Sequence, residues 1–403
     1  MRLFSLGMIA MVMVAGSAPL KAGTFGDDLA FLKKHSDVIV LTDKTGQAQV
    51  ALSPKLQGRV MTSTAEGPEG LSFGWINREL FEEGKFRQHI NPFGGEDRFW
   101  LGPEGGQFAI FFAKGAAFDL DHWFTPAAID TEPFEVVSQA PDKAVFHRKC
   151  QLTNYSGTQF DAEINREIRL LAPADAWKNL AVTAPAGVKL VAFETDNRLK
   201  NAGKEAWKKE TGLLSVWILG MFNASPTTTI VIPIKPGAEA ELGPAVNADY
   251  FGKIPPERLV VKEGVVYFSG DAKYRSKLGI SPRRCKPIMG SYDATNKVLT
   301  LVQFTLPAGQ TDYVNSMWKL QDNPYGGDVA NSYNDGPPSP GAKQLGQFYE
   351  LESSSPAAAL APGQTITHLQ RTFHMRGPEA ELDAVAKAML GVSLQQITTA
   401  LPK

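Results

Sequence analysis

The chain has 403 residues, 43% of them hydrophobic, and its 41 basic and 42 acidic residues give a formal net charge of −1. A body of this size buries a large core without disulfide staples. The balanced charge excludes the electrostatic footprint of a protein that binds nucleic acid or an anionic membrane. The two cysteines, Cys150 and Cys285, are too few for a disulfide scaffold, and the sequence leaves open whether they pair with each other.

The first 22 residues have the pattern of a secretory signal peptide. Arg2 supplies the positive charge, the apolar run from Leu6 to Val14 is too short to cross a bilayer, and small residues follow it. We expect cleavage after Ala22 and a mature protein that is periplasmic or secreted. No second stretch of the sequence is long and apolar enough for a membrane span.

A short helix is predicted over residues 27–34, and the body that follows has the pattern of an all-β protein. Runs rich in Val, Ile, Phe and Thr are separated by Gly, Pro, Asn and Asp. Residues 159–170 alternate between apolar and polar side chains, which predicts a strand with one buried face. Arg166 falls on the apolar face, which favours an inward ion pair over a side chain that reaches into a cavity.

More than a dozen such runs follow one another without a linker, which predicts one domain over residues 23–403, a large antiparallel β-sandwich. Besides the helix at the N-terminal end, helices are expected only over about residues 378–400. Pro378 suits the first helical position, Gly391 can end that helix, and Ser393 can cap a second one.

Residues 91–126 combine glycines, aromatic rings and single charges at close spacing. A flat ring beside fixed polar groups suits a sugar, which has an apolar face and a rim of hydroxyl groups. Arg98, Trp100, Glu104, His122 and Trp123 are therefore candidate sugar-binding residues. The alternative is a glycine-rich loop whose aromatic side chains plug the sandwich.

Two later segments offer further ligand-binding candidates. Lys277 ends an alternating basic run and either holds a carboxylate or meets water. Asn331 and Asp335 belong to a long polar loop that lines a sugar site, holds a Ca²⁺ ion or is simply well hydrogen-bonded without a ligand. The spacing is not that of an EF-hand. No cofactor is predicted, since the sequence has no Walker loop, no nucleophile elbow and no dinucleotide fingerprint.

Three segments together resemble the galactose mutarotase-like superfamily, whose aldose epimerases share a large antiparallel supersandwich. They contain, in chain order, the sequences GGEDRFW, ETDNRLKNAGKEAWKKETGLLSVWILGMF and QFYELESSSPAAALAPGQ. The full pattern is most similar to an uncharacterised family of secreted bacterial proteins within this superfamily. The resemblance implies the fold more directly than it implies a reaction.

The resemblance also implies roles for particular residues. Arg98 matches the arginine that meets the sugar, and Glu352 matches the general base that takes a proton from the anomeric hydroxyl. Glu350 lies two residues earlier on the same strand face and is the alternative base. Both glutamates would be plain surface residues if their strand lay at an edge of the sheet.

The strand that carries the family's catalytic histidine has none here, and Ser215 or Trp217 occupies the matching position. His122 is therefore the candidate acid, unless it is a structural histidine bonded to a backbone carbonyl. We expect Trp217 to be a stacking platform or a core residue, and ordinary galactose or glucose mutarotation to be absent or very slow.

The sequence thus predicts a secreted carbohydrate-active protein, either a sugar epimerase or a glycan-acting enzyme that uses a glutamate as general base. A non-catalytic carbohydrate-binding protein of the cell envelope is the alternative, which the missing histidine favours. A structural envelope protein without a ligand is the third possibility.

Overall fold

A computed structural model describes residues 23–402, so the expected signal peptide over residues 1–22 lies outside the described part of the chain. Within residues 23–402, every pairing between the eighteen named strands is antiparallel. The strands are β1 (Ile39–Thr42), β2 (Gln49–Ser53), β3 (Arg59–Thr64), β4 (Arg98–Gly102), β5 (Glu135–Ala140), β6 (Lys143–Thr153), β7 (Gln159–Leu170), β8 (Lys189–Asn201), β9 (Ser215–Asn223), β10 (Thr228–Pro233), β11 (Leu259–Lys262), β12 (Val265–Ser269), β13 (Ser276–Ile280), β14 (Ile288–Asp293), β15 (Val298–Phe304), β16 (Ala330–Asn334), β17 (Phe348–Ser354) and β18 (Thr365–Arg376).

These strands form a large sandwich, as predicted. A ten-stranded sheet has the order β11-β12-β10-β14-β15-β18-β8-β7-β6-β5, and a five-stranded sheet has the order β13-β16-β17-β9-β4. A small sheet of β1, β2 and β3 completes the fold. The inner faces of the two large sheets share an apolar core, in which Phe99 and Val216 from one sheet join Phe146 and Phe193 from the other. The opposite face of the five-stranded sheet is called its outer face below.

The strand predicted over residues 159–170 is confirmed as β7, Gln159–Leu170. Its even-numbered residues are buried and its odd-numbered residues are partly or fully exposed. The alternation of apolar and polar residues therefore predicted both the strand and its buried face correctly.

Arg166, the exception on the buried face of β7, forms the predicted inward ion pair. Its Nη2 lies 2.5 Å from Oδ1 of Asp97, and both side chains are fully buried. Arg166 also donates to the carbonyl of Gly58 and to Asn197, while Asp97 accepts from Thr195. Both charges are therefore matched by donors and acceptors between the sheets, as buried ions require.

The terminal helices agree closely with the sequence. Helix α1 spans Phe25–His35, and near the C-terminus α6 spans Glu379–Leu390 and α7 spans Leu394–Thr399. Pro378 is the residue that precedes α6, one position earlier than expected, and Gly391 ends α6 with a φ of 77°. Ser393 caps α7 in a capping box with Gln396. Helices α6 and α7 cover the side of the ten-stranded sheet that faces away from the core.

The expectation that helices occur only at the ends is wrong. Four more helices interrupt the strands, namely α2 (Arg78–Glu83), α3 (Ala127–Asp130), α4 (Pro173–Leu180) and α5 (Glu239–Leu242). Helix α4 begins with Pro173 and buries Ala176, Trp177 and Leu180 against the same side of the ten-stranded sheet as α6. Segments of four to eight residues are too short to show a helical period in the sequence.

The structure also bears on whether the two cysteines pair and whether a helix could span a membrane. Cys150 and Cys285 are free thiols, and burial raises the pKa of Cys150 to about 11 and that of Cys285 to about 12. Both thiols are therefore poor nucleophiles at neutral pH. Within residues 23–402, no helix has the length and apolar character needed to cross a membrane.

The buried ion pair predicts an asymmetric effect on stability. Arg166→Met leaves the Asp97 carboxylate buried without its cation, which typically costs about 3–5 kcal/mol of unfolding free energy. The control Lys200→Met breaks a partly exposed pair with Glu163 and is expected to cost about 1 kcal/mol or less. Urea unfolding of both variants measures this difference, and equal stabilities would contradict the role assigned to Arg166.

Candidate functional site

The outer face of the five-stranded sheet brings most of the candidate residues together, and the strand register explains why. Strand β17 is the central strand, and its Glu352 lies opposite Leu219 of β9 on one side and Asn331 of β16 on the other. Directly opposed residues of antiparallel strands share a face. The same rule places Trp217 beside Trp100 and, across β16, Lys277 in line with Glu350.

Glu352 is the best-buried charged group of this face, with no exposed surface. Its Oε2 accepts hydrogen bonds from Nε1 of Trp217 and from Nζ of Lys277, both at 2.9 Å. Its Oε1 has no hydrogen-bond partner. The alternative of a surface carboxylate on an edge strand is therefore wrong for Glu352, because β17 is the central strand and Glu352 is fully buried.

Lys277 supplies the positive charge that this carboxylate requires. Its Nζ lies 4.9 Å from the ring centroid of Trp217. Burial disfavours the charged form of Lys277, but Glu352, Glu104 and Glu350 more than offset this effect, so its pKa lies above the usual value. Lys277 therefore stays protonated and forms a persistent ion pair with Glu352.

Glu350 forms the second ion pair of the outer face. Its Oε1 accepts from Nη2 of Arg98 at 3.3 Å, and the Arg98 guanidinium lies over the Trp100 ring at 4.2 Å. Burial, followed by the negative charge of Glu352, raises the pKa of Glu350 to about 8.

A narrow cleft opens above these residues. Glu104, Ser215, Trp217 and Lys277 line one part of it, and the Oγ of Ser215 is buried without a hydrogen-bond partner. Glu104 accepts a hydrogen bond at 3.1 Å from Nε1 of Trp318. Burial raises the pKa of Glu104 in spite of the nearby Lys277.

The other part of the cleft is lined by Tyr250, Asp328 and Asn331. The Tyr250 hydroxyl donates to Asp328 at 2.6 Å and accepts from the Asn331 amide at 3.2 Å. Gly279 makes this approach possible, because a Cβ there would lie 2.0 Å from Oδ2 of Asp328. The cleft is thus rich in hydrogen-bonding groups, and Lys277 is the cation that lines it.

Of the predicted site residues, the ones that line the cleft are Glu104, Trp217, Lys277 and Asn331. Four others lie on the outer face without lining the cleft, namely Arg98, Trp100, Glu350 and Glu352.

The remaining three predicted site residues do not line the cleft either. His122 is exposed in a short 3-10 helix, because Asp119 caps that helix and accepts from Nδ1 of His122 at 2.6 Å. Trp123 is buried in a second aromatic layer, stacked on Phe111 and on Trp318. Asp335 is also buried.

Asp335 accepts from the Tyr333 hydroxyl and from the backbone N–H of Gly346, both at 2.7 Å. It therefore orders the loop before β17 and does not line the cleft.

The predicted stacking role needs a correction as well. Trp100 and Trp217 are 3% and 5% exposed, so neither offers an open face to a ligand. Their rings meet edge to face at 5.5 Å and lie beside Arg98 and Lys277. Both tryptophans form the floor of the site, and Trp217 acts there mainly as a hydrogen-bond donor.

Two residues that line the cleft were not recognised as site residues in the sequence. Tyr250 lies in an irregular segment without a motif, and Ser215 was considered only as the residue at the position of the missing histidine. Trp318, which donates to Glu104, was not recognised either.

Among residues 23–402, no cluster of three or more His, Cys, Asp or Glu side chains has the geometry of a metal site. Asp328 belongs to the same polar segment as Asn331, and its Oδ2 accepts hydrogen bonds from Tyr250 and Asn247.

Another cavity, of about 390 Å³, lies elsewhere and is lined by Lys235, Arg283 and Gln310 among others. None of its lining residues is a carboxylate or a histidine. The cleft on the outer face is lined by the carboxylates of Glu104 and Asp328, so it is the better candidate for acid–base chemistry.

A family model described as a family of unknown function, DUF6786, matches residues 23–401. The chain belongs to the DUF6786 family. A comparison with curated proteins gives no match.

Solved structures show the galactose mutarotase-like fold that the sequence motifs implied. A candidate aldose 1-epimerase from Escherichia coli K12 has a TM-score of 0.51 at 11% identity, over 85% of this chain and 99% of that chain. A galactose mutarotase-like protein from Lactobacillus casei ATCC 334 has a TM-score of 0.49 at 9% identity, over 84% of this chain and 100% of that chain. Identities this low concern the fold alone.

The Glu352–Lys277 pair predicts a second stability effect. Lys277→Met leaves Glu352 buried without its cation and is expected to lower the unfolding free energy by about 3 kcal/mol or more. The double variant Lys277→Met with Glu352→Gln removes both charges and should recover part of that loss. Lys143→Met, which breaks a half-exposed pair with Glu167, is the control. A Lys277→Met protein as stable as this control would show that the pair is not needed.

Proposed function

We propose that this DUF6786 protein binds a sugar in the cleft above Glu352 and acts on it by acid–base chemistry, with Glu352 as the general base. The observation that carries the proposal is the state of the Glu352 carboxylate. Two donors hold Oε2, while Oε1 is buried without a partner, and both donors, Trp217 and Lys277, line the polar cleft. A buried acceptor without a donor is costly unless a ligand or another group supplies one.

The groups that line the cleft suit a ligand with many hydroxyl groups. Glu104 and Asp328 offer acceptors, whereas Lys277 and the unpartnered hydroxyl of Ser215 offer donors. Lys277 is already paired with Glu352, so no unpaired cation of the cleft remains for an anionic sugar. These groups therefore favour a neutral sugar.

The reaction class that fits this arrangement is the opening and closing of a sugar ring. A base takes the proton of the anomeric hydroxyl, and an acid protonates the ring oxygen. The mutarotase-like fold is consistent with this class but supports only a carbohydrate-related role. We also infer, from the N-terminal segment of the sequence, that the protein works in the periplasm or outside the cell.

A non-catalytic sugar-binding protein is the second candidate. Strand β9 carries no histidine, and His122 is exposed and bonded to Asp119. A protein without an acid would hold a sugar by the same polar groups and release it unchanged.

Variants of Glu352 test the proposal against a panel of galactose, glucose, xylose, mannose and maltose. Polarimetry reports turnover, and tryptophan fluorescence reports binding because Trp217 is bonded to Glu352. Wild type should accelerate the anomeric exchange of at least one of these sugars. Glu352→Gln should lower kcat for that sugar by about 10²–10⁴-fold and change its affinity only a few-fold, since the amide keeps the shape and loses the basicity.

Glu66→Gln, which removes a glutamate paired with Arg376, is the control and should keep full activity. Full activity in Glu352→Gln would remove Glu352 from the mechanism. Binding of a sugar by wild type without any turnover would favour the non-catalytic candidate.

A further inference from the structure

The cleft on the outer face is too small to admit a sugar unless part of its wall moves. Its open volume is about 20 Å³, which is room for about one water molecule. Pockets that hold small molecules typically measure about 300–1,000 Å³. A closed wall of the cleft must therefore open before a sugar can bind there.

The segment between α5 and β11 supplies one wall of the cleft through Tyr250. On one side of Tyr250, the backbone of Asn247 exchanges two hydrogen bonds with that of Gly279 in β13, at 2.9 and 2.8 Å. On the other side, Ile254 is buried in the apolar core. Residues 249–253 between these two anchors are called the tip below. Within residues 23–402, no backbone–backbone hydrogen bond joins the tip to another part of the chain.

Two aromatic side chains fasten the tip to the rest of the protein. The Arg275 guanidinium lies over the Phe251 ring at 4.1 Å, and Phe251 remains 45% exposed. The Tyr250 ring lies 5.5 Å from Nζ of Lys277, so it covers the cation that lines the cleft. The tip is therefore held by side-chain contacts that can break without disrupting a strand.

The Tyr250 hydroxyl makes the two kinds of hydrogen bond that a sugar hydroxyl makes. It donates to Oδ2 of Asp328 at 2.6 Å and accepts from Nδ2 of Asn331 at 3.2 Å. A hydroxyl group both donates and accepts, so a carboxylate beside an amide matches it from both sides. Asp328 and Asn331 are both buried, and both line the cleft.

The wall on the Glu104 side of the cleft is less suited to opening. Glu104 accepts from Trp318 through its carboxylate, and its backbone N–H donates to Oγ of Ser316 at 3.1 Å. The next residue, Gly105, is packed so closely that a Cβ there would lie 2.4 Å from the carbonyl oxygen of Met317. This wall is interlocked through its backbone, which leaves the tip as the part that moves.

We propose that Asp328 and Asn331 form a subsite for a sugar hydroxyl, which the Tyr250 hydroxyl occupies until the tip lifts. The ligand in this inference rests on the proposed function. When the tip lifts, Asp328 keeps its hydrogen bond from Asn247 at 3.0 Å but loses the one from Tyr250. A sugar hydroxyl restores the lost partner, so the sugar binds the open form and shifts the population towards it.

A labelling experiment without any sugar tests the movement of the tip. Ser215 lines the cleft and is 1% exposed, so iodoacetamide reaches the thiol of Ser215→Cys only when the cleft opens. Adding Tyr250→Phe removes both hydrogen bonds of the hydroxyl and should speed labelling at position 215 about 3–10-fold. Adding Tyr274→Phe, at a 41% exposed tyrosine that does not line the cleft, is the control and should leave the rate unchanged.

Mass spectrometry locates the label, and label on the buried Cys285 reports unfolding of the whole protein. Equal labelling rates with and without Tyr250→Phe would overturn the inference. If Tyr250→Phe does not fold, Asp328→Asn weakens the same contact and should also speed labelling. An unchanged rate in Asp328→Asn would then overturn the inference.

The sign of the change in sugar affinity shows whether Tyr250 blocks the subsite or helps to bind the ligand. In a fluorescence titration with the same panel of sugars, Tyr250→Phe should lower Kd about 3–10-fold, because a larger fraction of the protein is open. Asp328→Asn should weaken binding more in Tyr250→Phe than in wild type, where the same change also weakens the bond to Tyr250.

The results distinguish failure of this inference from failure of the proposed function. An unchanged or higher Kd in Tyr250→Phe would overturn the inference and leave the proposed function intact. Absence of binding by every sugar of the panel, in wild type and in Tyr250→Phe, would overturn the proposed function and the ligand assigned to the subsite. The labelling rates would still decide whether Tyr250 closes the cleft.

Discussion

A fully buried carboxylate is stable only if a cation and hydrogen-bond donors offset its loss of hydration. Residues on the outer face of the five-stranded sheet supply both to Glu352. The donors come from different strands, Trp217 from β9 and Lys277 from β13. A shift of β17 by one residue would turn Glu352 into the apolar core between the sheets. The ion pair and the register of the sheet therefore depend on each other.

The fold was largely predictable because its signals are local. Alternation over residues 159–170 is a property of one strand, and the turn residues Gly391 and Ser393 act within a few positions. Arg166 was recognised as an inward charge because it broke that alternation, although its partner Asp97 lies 69 positions away. Helix α4 was missed because eight residues barely exceed two turns.

Individual residues of the outer face could be chosen from the sequence, but the contacts between them could not be predicted. Glu352, Lys277, Trp217 and Arg98 were all chosen from the sequence, yet nothing in it joins Lys277 to Glu352 across 75 positions. His122 was chosen from the aromatic segment 91–126 as a substitute for the missing histidine, but it does not line the cleft. The cap at Asp119 instead keeps the histidine in solvent.

The contacts of Trp100 and Trp217 differ from the stacking role that the sequence suggested. Aromatic residues near a sugar site are usually expected to stack on the ligand, but here they are buried and carry the charged groups. Trp100 supports Arg98, and Trp217 supports Lys277 and donates to Glu352. A sugar in the proposed site would therefore meet polar atoms above buried aromatic rings, and we expect hydrogen bonds to dominate its recognition.

The most direct measurement is a crystal structure of the protein with the sugar that changes its tryptophan fluorescence most strongly. The account predicts a sugar hydroxyl about 2.5–3.0 Å from Oε1 of Glu352, the oxygen that has no partner in the free protein. A sugar bound away from the cleft, with the surroundings of Glu352 unchanged, would contradict it.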